Sequence, residues 1–132
     1  MPGEYAVNPA ANNGTVLLNE PDDSVRDALT VLLRGARWKV QTADDCAGML
    51  RLLSAGGISA VISESSLPDC SPEDILEHCK NCGVPVIFTG HDLPLQGAVD
   101  LIRQGATDFL DKPFPQSRLL DVLERLQSEH TT

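Results

Sequence analysis

Two stretches, Val84-Pro85-Val86-Ile87-Phe88-Thr89-Gly90-His91 and Gly105-Ala106-Thr107-Asp108-Phe109-Leu110-Asp111-Lys112-Pro113-Phe114, decide how this chain folds. Each holds a short apolar run that breaks into polar residues at its carboxyl end. Runs of this length, bounded by Gly, Pro or Asp, suit strands buried on both faces. Between the two stretches, Ala98, Leu101 and Ile102 recur at helical spacing, which predicts one apolar stripe laid against a sheet.

The pattern repeats upstream. Val16-Leu17-Leu18, Trp38-Lys39-Val40 and Ala60-Val61-Ile62 read as further buried strands. Val25, Leu29, Leu32 and Leu33, then Leu50 and Leu53, then Leu119, Leu123 and Leu126 read as helix stripes. Ser71-Pro72-Glu73-Asp74 places a capping hydroxyl, a first-turn proline and a returning carboxylate in capping-box order, and Gly35, Gly83 and Gly105 stand where helices stop. Strict alternation of strand and helix with short loops implies right-handed crossovers and a parallel sheet. The expected fold is α/β, a flavodoxin-like, doubly wound (βα)5 unit whose five parallel strands stand in the order 2-1-3-4-5.

With 132 residues and 42% hydrophobic content, the chain suits one domain with one core. Residues 1–14, rich in Pro, Gly and Asn, read as a flexible tail, residues 15–128 as the domain, and residues 129–132 as a C-terminal tail. A formal net charge of -9 and a pI near 4.5 argue against direct contact with nucleic acid, which demands clustered positive charge. No apolar run approaches the ~20 residues needed to span a bilayer, and Met1-Pro2-Gly3-Glu4 does not open a signal peptide. A cytoplasmic protein is expected, with its four cysteines kept as thiols. Cys79-Lys80-Asn81-Cys82 has the spacing of a redox or zinc pair. However, Ile75, Cys79 and Cys82 fall at i, i+4 and i+7, so both sulfurs are expected on the buried face of a helix.

In such a sheet, chemistry gathers beyond the carboxyl ends of the strands near the reversal of strand order. Those ends carry Asn19-Glu20-Pro21-Asp22-Asp23, Ser63-Glu64-Ser65-Ser66, Thr89-Gly90-His91 and Asp111-Lys112-Pro113-Phe114. Carboxylates beside a lysine and a hydroxyl are the groups that hold a hard cation and a phosphoryl group. Here the chain resembles the response-regulator receiver domains of two-component signalling. The likeness runs over roughly residues 15–127, through the two opening stretches and Leu67-Pro68-Asp69, and is greatest to receivers of nitrogen-regulation-type transcriptional regulators. The resemblance implies that Thr89 is the switch hydroxyl, Phe109 the switch aromatic, Lys112 the family's lysine, and Lys112-Pro113 a cis peptide bond.

The resemblance also exposes departures. Counting back from Leu67-Pro68-Asp69 puts Glu64 where the family carries its phosphoacceptor aspartate. The family's acidic pair falls on Glu20 and Pro21, so one metal ligand is lost, with Asp22 next in line. An extra methylene misplaces the nucleophile, and an error of about 1 Å can cost ~100-fold in rate. We therefore expect an atypical receiver, not an enzyme, with no catalytic residue, acting by phosphorylation-independent protein–protein interaction. Its Glu64 either imitates the phosphorylated state beside Lys112 and Thr89 or is simply a paired side chain. No cofactor is expected beyond a weak Mg2+ site drawing on Glu20, Glu64 and Ser66. The resemblance implies an effector domain or protein, a histidine kinase, and homodimerisation through the fourth and fifth helices as partnerships. The competing expectation is a receiver still phosphorylated on Glu64, Asp69 or Ser65 with Mg2+.

Overall fold

The computed structural model of the chain describes residues 13–91 and 93–131, with side chains to residue 127. Five strands alternate with five helices: β1 (Thr15–Asn19), α1 (Asp23–Gly35), β2 (Lys39–Ala43), α2 (Cys46–Ala55), β3 (Ala60–Glu64), α3 (Pro72–Cys82), β4 (Val86–Gly90), α4 (Leu95–Arg103), β5 (Asp108–Asp111) and α5 (Gln116–Thr131). All strand pairs are parallel, in the order β2-β1-β3-β4-β5. The expected architecture and strand order are therefore those of the protein.

Alternation along the central strands divides the core in two. Val16 and Leu18 of β1 pack with Leu29 and Leu33 of α1 and Leu119, Val122, Leu123 and Leu126 of α5. Leu17, pointing the other way, joins Met49 and Leu53 of α2 and Ile75, Leu76 and Cys79 of α3. The helices start on the caps their sequences offer: Asp22 accepts from the Val25 amide, Asp45 from Gly48 and Ser71 from Asp74. Gly83 ends α3 in the left-handed region, at φ 70°.

Several expectations need correction. β2 is not buried on both faces; as an edge strand it leaves Lys39, Gln41 and Thr42 exposed, while Trp38, just before it, is buried. Cys82 is exposed, because α3 ends at that residue and Leu76 takes the third place in the buried stripe. On α4 only Leu101 is buried, and Ile102 is 44% exposed. Cys46 and Cys70 are not thiols but a disulfide, with Cα atoms 6.2 Å apart. Their separation of 24 residues gave no local signal. Near the expected boundaries, Asn13 donates to the Arg37 and Ala36 carbonyls and Gly14 accepts from Lys39, while α5 runs through residues 129–131. The rest of the expected tails, residues 1–12 and 132, lies outside the described residues. Among the described residues, no helix is long and apolar enough to cross a membrane.

Candidate functional site

The parallel register brings Glu20, which follows β1, Glu64 at the end of β3 and Lys112, which follows β5, to one rim of the sheet. The Lys112 ammonium donates to Glu64 Oε1 at 2.6 Å and also to Glu20 Oε1. The second oxygen of each carboxylate is engaged as well. Glu20 Oε2 accepts from the Asp22 amide at 3.0 Å, and Glu64 Oε2 from the Ser66 amide at 3.0 Å and, at 3.5 Å, the Ser65 hydroxyl. The three side chains are 3%, 9% and 8% exposed for Glu20, Glu64 and Lys112, so water screens them little. Burial alone would lower the Lys112 pKa; hydrogen bonds and attraction from Glu20 and Glu64 outweigh it and raise the pKa above the ordinary lysine value. The lysine is a fixed cation between two carboxylates.

A cleft of about 280 Å3 opens over this triad, lined by Pro21, Asp22, Val25, Ser66 and His91 as well. Pro21 lines it without a side-chain ligand atom. Asp22 is exposed and committed to capping α1. Ser66 offers its amide to Glu64. Each carboxylate oxygen of Glu20 and Glu64 accepts a hydrogen bond, and the ammonium stands between the two residues.

Thr89 is buried and pairs in register with Glu64, yet among the described residues the Glu64 carboxylate is held by Lys112, Ser65 and Ser66, not by the Thr89 hydroxyl. Phe109 is half-buried against the α2–α3 side of the core. Its ring crosses beside Gly90, where an added Cβ would lie 2.6 Å from Ser65 Oγ and 3.2 Å from Phe109 Cζ. The Lys112–Pro113 peptide is cis.

The alternative acceptors stand elsewhere or inward. Asp69 does not line the cleft; its carboxylate takes the Cys46 amide at 3.0 and 3.2 Å. Ser65 is buried at 4% exposure. Arg26, whose guanidinium donates to the Glu20 carbonyl at 2.8 Å, was missed by sequence reasoning. The Ser65 and Ser66 contacts to Glu64 were also unforeseen, since turn geometry alone aims them.

The model of the response regulator receiver domain matches residues 16–124. The transcriptional regulatory protein FixJ of Bradyrhizobium diazoefficiens is 34% identical over 115 residues, covering 84% of this chain and 55% of that protein. The C4-dicarboxylate transport transcriptional regulatory protein DctD of Pseudomonas aeruginosa is 39% identical over 114 residues, covering 83% of this chain and 24% of that one. This chain thus spans only about a quarter to a half of the length of these two relatives. Among solved structures, a receiver domain protein from Clostridium thermocellum superposes with a TM-score of 0.82 over 89% of this chain and 97% of its own, and at 23% identity that likeness concerns the fold.

Proposed function

The chain belongs to the response regulator receiver domain family, and from that membership we propose that it is an atypical receiver that controls an effector by binding, without being phosphorylated. One observation carries this reading. The lysine, the amide and the hydroxyl around the acceptor position are already turned onto Glu64, and Lys112 is further neutralised by Glu20. A phosphoryl group arriving there would find its cationic donor occupied and no metal ligand at Pro21. A carboxylate lengthened by one methylene supplies negative charge in that place, although fewer acceptors than a phosphoryl group. In this reading Glu64 and Lys112, with Thr89 and Phe109 behind them, hold one state of the surface formed by α4, β5 and α5.

That surface suits contact with a second copy or an effector. Leu95, 80% exposed, lies seven positions before Ile102, 44% exposed, so the two share one stripe of α4. Asp108 beside it pairs with Arg118 and Arg125 of α5. Because the two curated relatives are transcriptional regulators, transcription is the process proposed. A histidine kinase is a further partner in that setting, the cytoplasm is the proposed compartment, and no catalytic activity is assigned. The test is intact mass after incubation with a small acyl phosphate and Mg2+, beside a chain carrying Glu64→Asp and Pro21→Asp. The expected result is a phosphate-sized adduct on the repaired chain alone; an adduct on the original chain would overturn the reading.

A further inference from the structure

The loop after β3 is tied at both ends, and the two ties differ in chemistry. At the near end, the Ser65 amide donates to the Thr89 carbonyl at 2.8 Å and the Ser66 amide to Glu64 Oε2. At the far end, Leu67 and Cys70 form an isolated antiparallel bridge, Asp69 takes the Cys46 amide, and Cys70 is bonded to Cys46. Cys46 is the first residue of α2. We propose that the Cys46–Cys70 disulfide is a thiol-exchange site, a reducible lock that fixes the β3–α3 loop and through it the Ser65 and Ser66 contacts to Glu64.

Access and leaving group agree with that role. Cys70 is half-buried and the more exposed of the two, whereas Cys46 is 4% exposed. Attack by a low-molecular-weight thiolate on Cys70 Sγ breaks the S–S bond, and Cys46 leaves as a thiolate at the amino end of α2, the positive end of that helix's dipole. That thiolate takes up a proton. A second small thiolate then attacks the mixed disulfide and releases Cys70, so that two electrons pass from two small thiols to the protein and one small disulfide is formed. Excess small disulfide reverses the sequence. The Asp69 carboxylate lies with both sulfurs in a group spanning no more than 4.8 Å. Without the covalent tie, the Asp69 hydrogen bonds to the Cys46 amide and the packing of Leu67 hold the loop's far end among the described residues.

The other two cysteines serve as an internal reference, since Cys79 is buried and Cys82 exposed and neither is bonded. The lock stands apart from the proposed reading of Glu64: thiol counting and amide exchange report the lock, and phosphodonor labelling reports the reading. The test equilibrates the full chain in glutathione buffers from oxidising to reducing, quenches in acid, labels thiols under denaturing conditions and counts them by mass. Hydrogen exchange of residues 65–71 is followed in the same samples. The expected result is two labels rising to four across the glutathione range, with exchange in the loop at least threefold faster after reduction. In a Cys46→Ser, Cys70→Ser chain, exchange should be fast in every buffer. Four labels under oxidising conditions would overturn the proposal, as would unchanged exchange on reduction. So would one zinc per chain held by Cys46 and Cys70, because thiolates committed to a metal are not this lock.

Discussion

Replacing Lys112 by methionine keeps the aliphatic stem and removes the ammonium, leaving Glu20 and Glu64 face to face. Both carboxylates are less than a tenth exposed, so neither can recover its lost partner from water. Removing one member of a buried ion pair costs about 3–5 kcal/mol, and here one cation serves two anions. We expect a loss in that range at pH 7 by urea denaturation, read as a lower midpoint with an unchanged slope. The pH dependence identifies the cause. Acid relieves repulsion between two buried carboxylates, so the deficit of the variant should shrink as pH falls from 7 towards 5. Adding Glu20→Gln to Lys112→Met removes the repulsion and should restore part of the loss. In the unmodified chain, the raised Lys112 pKa contributes stability present below the ordinary lysine range and lost only as pH climbs through the folded value. A loss under about 1 kcal/mol at pH 7, the same at pH 5, would refute the reasoning and make the triad an ordinary surface pair.

Reduction of the disulfide closing a 24-residue separation should lower stability by about 3 kcal/mol from loop-closure entropy, measured as the shift in urea midpoint with and without reductant. Burial pushes the Cys79 thiol up to about 12, with a smaller push from Cys82. Cys82 should therefore react with iodoacetamide in the native chain at pH 8 while Cys79 waits for unfolding, and equal labelling rates would contradict the packing. The same shift keeps Cys79 protonated in the folded state, so the stability it lends falls as pH rises from about 9 towards 12. Asp22→Ala should cost about 1 kcal/mol by loss of the α1 cap. Asp108→Ala should cost less than about 1 kcal/mol, because Arg118 and Arg125 are 45% and 63% exposed and water already screens both pairs.

The sheet was legible because parallel strands must be apolar on both faces. Val16-Leu17-Leu18 and Ala60-Val61-Ile62 could scarcely be anything else once helical stripes stood between them. Reading failed where an element lies at an edge and burial is one-sided. Lys39-Val40-Gln41 pairs on one side alone, and α4 has only one buried residue, so apolar spacing overstated its contact with the sheet. Glu20, Glu64 and Lys112 could be placed together from strand order alone, since each stands at or just beyond the carboxyl end of a strand. The sequence could not reveal that Thr89 stays out of the Glu64 hydrogen bonds while Ser65 and Ser66 enter them, because that depends on a turn of a few residues. Nor does any local pattern join Cys46 to Cys70; only the folded proximity of α2 and the β3–α3 loop does so.

The contact between Glu20 and Lys112 joins positions 92 residues apart. β1 is an inner strand and β5 the far edge of the sheet, with β3 and β4 between them. Glu64 ends one of those intervening strands, so a single ammonium ties the rims of three strands that are not all neighbours. The ion triad therefore acts as a clasp across the width of the sheet, where the hydrogen-bond ladders join only adjacent strands.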